Sequence, residues 1–427
     1  MQTNHPNFTI VDQSLDKVFD FTTNIDVQFE QCQYMTRISY RYEDKETATA
    51  PREFVQTLIN SRHYEPLEFV SLYVDLSKWS AMQKDERYYS LRNFIIERSA
   101  NPKDSHVRYL GNGVCLECNY YVFTLREVVE WWDQYFRAKS NNEPLNISKE
   151  YDSIFNRICK CIARDKELKE LFEKHPDIMK RCARVKWIVT TNRQIATEIS
   201  RHRSLSKNWE STRHCDYSKE RFNGLKICDP TLYDECIHER LTPEHKDIVN
   251  ALSYMADNYM NAVKNGEKVQ AAYLLPSCTA VKVAFAGFMD DVNKVIEMRT
   301  TNYCGIPHQD ANALMRMTDF GLKLNLPYSH TSKDDNDTLK RLEIECGKTW
   351  NDNCTKVLDF IGGTNDDDVK DVLNAFGTHI LNNDIDKDSS SNQEDENPLS
   401  SPNQKDESCD DDIMTLLNTL LGVSYKR

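Results

Sequence analysis

Between Thr190 and Arg213 the sequence reads TTNRQIATEISRHRSLSKNWESTR. Arg201, Arg203 and Arg213 bring guanidinium donors, His202 an imidazole, Asn208 an amide, and Ser206 and Ser211 hydroxyls. Guanidinium groups hold phosphate through two parallel hydrogen bonds, a geometry that lysine cannot copy. This residue set therefore suits the binding of an anionic ligand. Ile195 to Ile199 reads as one helix face, which puts Arg201 and Arg203 at or just past a helix end. The Ser- and Asn-rich run that follows reads as a loop.

The elements around this stretch follow from local signals. Lys186 to Val189 reads as a strand that leads into it. Upstream, Phe8 to Val11 reads as a strand, Arg52 to Asn60 as a helix, His63 to Glu68 as a turn, and Phe69 to Val74 as a strand rich in β-formers. Between them, Arg87 to Glu97, Leu125 to Phe136 and Tyr151 to Leu171 read as helices, and Val114 to Phe123 as a strand or hairpin. Ser218 to Pro230 reads as a loop. Thr242-Pro243 opens a helix, with the hydroxyl as cap and proline at the first position, and Asn265-Gly266 closes it. The pair Cys115 and Cys118 has no second pair at ligand spacing, so no metal site is predicted.

Composition narrows the function. The chain has 427 residues, 39% of them hydrophobic, and a net charge of −13, which argues against a general nucleic-acid binder. Residues 384–412 hold eleven acidic residues against two lysines and read as a disordered linker, leaving the remainder close to neutral. Ile413, Leu416, Leu417, Leu420 and Leu421 follow at helical spacing, an apolar peptide (413–427) suited to docking on the chain's own body, a sister subunit or a protein partner. The sequence shows neither an N-terminal signal peptide nor an apolar run long enough to span a membrane. Its fourteen irregularly spaced cysteines fit reduced thiols and a cytoplasmic location.

Arg201-His202-Arg203, seven residues, then Ser211 is the spacing of the flavin-dependent thymidylate synthases (ThyX), and the chain resembles that family at further points in the same order. His63, Pro66 and Glu68 match its H-x-[ST]-P-x-E-H turn, with Glu65 in place of the hydroxyl residue and Phe69 in place of the second histidine. Leu275-Pro276 matches its A-R-x-x-L-P segment, Met298-Arg299 the end of the next helix, and His308-Gln309 the H-A-Q helix. The resemblance implies an α/β fold with a mixed central sheet flanked by helices. It divides the chain into an N-terminal segment (1–34), a first ThyX-like part (35–77), a mostly helical insertion (78–185), a second ThyX-like part (186–330) and a helical extension (331–383) ahead of the linker and terminal peptide.

The resemblance also implies reductive methylation of dUMP to dTMP, with FAD as cofactor and NADPH and methylenetetrahydrofolate as co-substrates, in a homotetramer whose sites lie between subunits. Carried over by position, Glu198, Arg201, Ser211, Thr212, Arg213 and Arg299 would hold the nucleotide, with Arg299 favouring the ionised base. His63, Glu65, Arg201, His202, Arg203, Ser204, Asn208 and Lys294 would contact the flavin. The chain departs from the family where Trp209 stands in place of glutamate, Ala272 in place of a phosphate-binding arginine, and Lys294 in place of asparagine. These departures keep open a hydroxymethylase of dUMP or dCMP, and a non-catalytic nucleotide-binding relative.

Overall fold

The computed structural model describes residues 4–5, 7–44, 49–75, 78, 86–100, 106–110, 120–139, 154–301 and 308–325. All belong to the first of two compact units, Met1–His330; the readings of 331–383, 384–412 and 413–427, and that of Cys115 and Cys118, lie outside the described residues.

The described chain is mixed α/β, its strands divided among three sheets. The central one has four strands in the order Ser14–Val18, Arg184–Asn192, Ala280–Phe288, Ser206–Trp209, each antiparallel to its neighbour. Arg184–Asn192 is almost wholly buried, so helices must cover both faces. Side chains alternate along a strand. Val185, Trp187 and Val189 pack with Val283 and Phe285 against helices Arg193–Ser200, Met289–Thr300 and Gln309–Asn325. Ile188, Ala284 and Ala286 face the opposite way, toward helix Ile25–Arg37 and the insertion. On that side Lys186 is fully buried and donates to the Gln31 amide at 2.8 Å and to that of Gln28.

A second sheet joins Ser71–Asp75 to Tyr120–Thr124 and Arg108–Tyr109, all antiparallel. The strand after the His63 turn thus pairs with a strand of the insertion, Tyr120–Thr124. In the third sheet Phe8–Val11 runs parallel to Leu225–Cys228 and antiparallel to Asn4–His5.

The expected helices are present at Pro51–Asn60, Glu86–Ala100, Leu125–Lys139 and Pro243–Lys264. The Thr242 hydroxyl accepts from the His245 amide at 3.2 Å, and Gly266, at φ +83°, takes the left-handed turn that closes that helix. Three local readings need correction. Ser206–Trp209 is a strand, not a loop, because its backbone pairs with Val283–Ala286. Leu225–Cys228, inside the stretch read as loop, is likewise a strand held by Phe8–Val11. The single helix read over 151–171 is broken: one segment covers 154–159, the chain turns so that Ile162 can bridge to Val74, and a second helix runs Asp165–Lys174.

Candidate functional site

Helix Arg193–Ser200 buries Ile195, Ala196 and Ile199, and the Asn192 side chain caps it by accepting from the Ile195 amide at 2.8 Å. Arg201 ends the helix, and the chain then turns over His202, whose carbonyl accepts from Leu205 at 3.3 Å. Leu205 and Ser206 dive into the core. Gly287 on the neighbouring strand makes room for them: a Cβ there would lie 2.6 Å from the Leu205 Cδ2. This turn leaves Arg201 and Arg203 exposed with His202 half-buried between them. The guanidinium groups of Arg201, Arg203 and Arg213 make no hydrogen bond or ion pair to described residues.

His202, Glu198 and Arg299 come together. Arg299 ends the helix that follows the long strand Ala280–Phe288, and its Nη1 lies 2.8 Å from Glu198 Oε1. Its Nη2 lies 3.3 Å from His202 Nε2. A guanidinium cannot accept, so His202 Nε2 must, and the ring proton sits on Nδ1. Burial and the Arg299 charge both push the His202 pKa down, which keeps the ring neutral. Arg299 Nε and Ser200 Oγ are buried without a hydrogen-bond partner among the described residues.

Asn208 and Ser211 are tied instead to the end of helix Ile25–Arg37. The Asn208 amide donates to the carbonyls of Met35 at 2.7 Å and Thr36 at 2.9 Å and accepts from the Ser39 hydroxyl at 2.8 Å. The Ser211 amide donates to the Ser39 carbonyl at 3.0 Å, which leaves the Ser211 hydroxyl, half-buried Thr212 and exposed Arg213 without hydrogen-bond partners among the described side chains. Between them Glu210 is buried and accepts from Arg41 at 3.0 Å, from the Tyr217 hydroxyl at 2.9 Å and from the Lys282 amide at 3.0 Å. Glu210 thus serves as the loop's anchor, one place after the position where the family's glutamate stands.

His63 and Glu65 are exposed, their side chains 3.9 Å apart. The turn beneath them is fixed through Glu68. Arg126 of the insertion meets its carboxylate at 2.6 Å and His106 at 3.5 Å. Burial raises the Glu68 pKa, but His106, the Ser206 hydroxyl and Arg126 outweigh it and hold the carboxyl below its usual range. Burial, then the Arg184 charge, push His106 down to about 4. At neutral pH the negative charge therefore stays on Glu68, with Arg126 as counter-ion. Buried Arg184 donates to the Glu68 carbonyl at 3.0 Å and to the Ser206 hydroxyl at 3.1 Å, which ties the His63 turn to the strand after the RHR helix. Lys294, 62% exposed, pairs with Asp290 and Asp291 and makes no described contact with the RHR turn. Arg193 donates to the Leu275 carbonyl at 3.1 Å, so a guanidinium lies against the turn that follows Ala272.

Sequence reasoning did not find Glu210, Arg184, Arg126 or His106. The signal for Arg184 was present: in RVKWIV two cations interrupt a buried strand, and each needs a partner. A cleft of 510 Å³ opens at the other end of the RHR helix, lined by Asn192, Gln194, Asp229, His245, His308 and Asp310.

Residues 163–315 match the family model described as thymidylate synthase complementing protein, Thy1. Over these residues the chain is similar to the ThyX family. The matched segment includes Glu198 through Arg213, Lys294 and Arg299; His63 and Glu65 lie before it. No curated protein matches the chain at a significant level. Among solved structures, a UMP/dUMP methylase, PolB, from Streptomyces cacaoi bound with 5-Br dUMP aligns at 14% identity, covering 40% of this chain and 80% of its own, with a TM-score of 0.28. A flavin-dependent thymidylate synthase ThyX from Helicobacter pylori, complexed with FAD and dUMP, aligns at 17% identity over 38% of this chain and 78% of its own, with a TM-score of 0.26.

Proposed function

We propose that this chain is a flavin-dependent enzyme that adds a one-carbon unit to C5 of a pyrimidine nucleotide monophosphate. The first reading is the methylation of dUMP to dTMP with methylenetetrahydrofolate and NADPH. One observation carries it: Arg201 and Arg203, exposed and without described partners, bracket His202 of the Glu198–His202–Arg299 cluster inside the segment that matches the ThyX family model. That donor set fits a polyanionic ligand, and the Nδ1–H of His202 adds a neutral donor for a carbonyl edge.

FAD, when bound, supplies the hydride chemistry. The residues do the rest. Arg201 would contact both nucleotide and flavin; His202, Arg203 and Ser204 would hold the flavin, with His63, Glu65 and Lys294 as the further flavin contacts that the resemblance implies. Ser211, Thr212 and Arg213 take the nucleotide phosphate, with Arg193 as the nearest replacement for the arginine absent at Ala272. Asn208, whose amide is spent on the helix end, supports the flavin site by fixing the strand that follows the RHR turn. The family's homotetramer carries over as part of the proposal. A second reading, transfer of a hydroxymethyl group to dUMP or dCMP, is motivated by Trp209 and Ala272, where the chain departs from the family's glutamate and arginine.

The test is to purify the full chain, record its absorption after incubation with FAD, and weigh the product formed from dUMP, methylenetetrahydrofolate and NADPH. Bound flavin and a product of dTMP mass support the first reading. A product heavier by one oxygen selects the second. A protein that takes up neither FAD nor dUMP overturns the assignment.

A further inference from the structure

Arg299 lies at the end of helix Met289–Thr300 and reaches the end of the RHR helix, where the last carbonyls favour a cation. Its guanidinium is held there through both Nη atoms. Nη1 meets Glu198 Oε1 at 2.8 Å, while Nη2 lies 3.3 Å from His202 Nε2 and 3.5 Å from the Glu198 carbonyl. Nε is buried. The side chain is 21% exposed, so most of its donors face protein rather than a ligand.

What this contact fixes is the imidazole. A guanidinium carries five donors and no acceptor. With Nη2 donating, His202 Nε2 is the bare nitrogen and the single ring proton goes to Nδ1. The other tautomer would set two N–H groups against each other at 3.3 Å, and a doubly protonated ring would put a second cation beside the first. Burial, then the Arg299 charge, hold the His202 pKa below its usual range; Glu198 on the RHR helix works the other way, and Lys207 on strand Ser206–Trp209 adds to the lowering. His202 Nδ1 has no hydrogen-bond partner among the described residues, and the ring sits half-buried between exposed Arg201 and Arg203.

We infer that Arg299 is a positioning residue: it acts through His202, fixing the ring with its proton on Nδ1 as a donor to the ligand that Arg201 and Arg203 hold. The ligand is taken from the proposed function, whereas the state of the ring follows from the contact alone. A ring that stays neutral offers the same hydrogen bond from pH 8 down through the range where an ordinary histidine gains its second proton.

Nitrogen NMR of the full chain labelled in its histidine rings, with His202 assigned through a His202→Gln variant, reads tautomer and titration directly. At pH 7 the wild type should show a protonated Nδ1 and a bare Nε2. Arg299→Met should raise the His202 titration midpoint by about one pH unit or more and let both tautomers appear. Glu198→Gln, which removes the carboxylate and keeps Arg299, should lower the midpoint and keep the tautomer. FAD binding supplies the functional readout. The affinity of Arg299→Met relative to wild type should rise about three-fold or more between pH 8 and pH 5.5, because only the variant's ring gains a charge over that range. An Nε2–H tautomer in the wild type, a midpoint unmoved in Arg299→Met, or a relative FAD affinity that is flat with pH overturns the inference and leaves the function standing. Protein that binds no FAD at any pH overturns the proposed function, and the nitrogen shifts still decide the role of Arg299.

Discussion

Replacing Glu210 by alanine should cost the fold about 3–5 kcal/mol, the range for breaking a buried charge pair. Glu210 is 3% exposed and is met by three donors. Its removal would strand the hydroxyl of Tyr217, 4% exposed, and the Lys282 amide, at about 1–3 kcal/mol each. Arg41 contributes less, about 1 kcal/mol, because its side chain is 24% exposed and can turn to water or to Glu43 at 3.5 Å. Glu210→Gln keeps the shape and one acceptor oxygen, so about half the destabilisation should remain. Urea denaturation of the full chain reads the effect as a lowered midpoint with unchanged slope. The variant should also bind dUMP more weakly, because Ser211 follows directly on the anchor. An alanine variant that is destabilised by less than about 1 kcal/mol would refute the anchoring role.

Two further outcomes follow. Burial, then the neighbouring Asp310 and Asp234, push Asp12 up to about 6 from 3.8, despite a hydrogen bond from the Gln13 amide. A carboxyl raised in the folded state binds a proton more tightly there than in the unfolded chain, so its contribution to stability falls as pH rises between those two values. Asp12 remains an exposed residue and solvent screens the effect, so Asp12→Asn should stabilise the protein modestly at pH 7.5 and not at all below pH 4, read from denaturation midpoints across pH; a gain that is the same at both pH values contradicts this. Arg299→Ala should lower product formation about 100-fold or more while leaving the helical circular dichroism intact; turnover within two-fold of wild type would contradict its place in the site.

The parts of the fold legible in the sequence were those with local causes. The RHR helix declared itself through its apolar face, and helix Pro243–Lys264 through Thr242, Pro243 and Gly266. Ser206–Trp209 was not legible because SKNW carries no β-pattern; its pairing with Val283–Ala286 alone makes it a strand. The same holds for Leu225–Cys228, whose partner strand lies more than two hundred residues earlier. At the site, the resemblance named Glu198, His202 and Arg299 one by one, and it is the helix ends that bring them together. Arg126 and His106 reach Glu68 from an insertion whose docking leaves no mark in the sequence. Asn208 shows the limit of spacing alone: a motif position predicted a ligand contact, and the structure spends its amide on Met35 and Thr36.

The central claim is that the guanidinium-rich turn after Ser200 grips a nucleotide against a flavin. Equilibrium binding of dUMP and FAD to the wild type and to a double variant, Arg201→Ala with Arg213→Ala, tests it most directly. Removing two charge-assisted hydrogen-bond donors should weaken dUMP by about 100-fold or more and FAD by about ten-fold, with the denaturation midpoint unchanged because neither side chain has a described partner. Equal affinity of both ligands for variant and wild type would contradict the account.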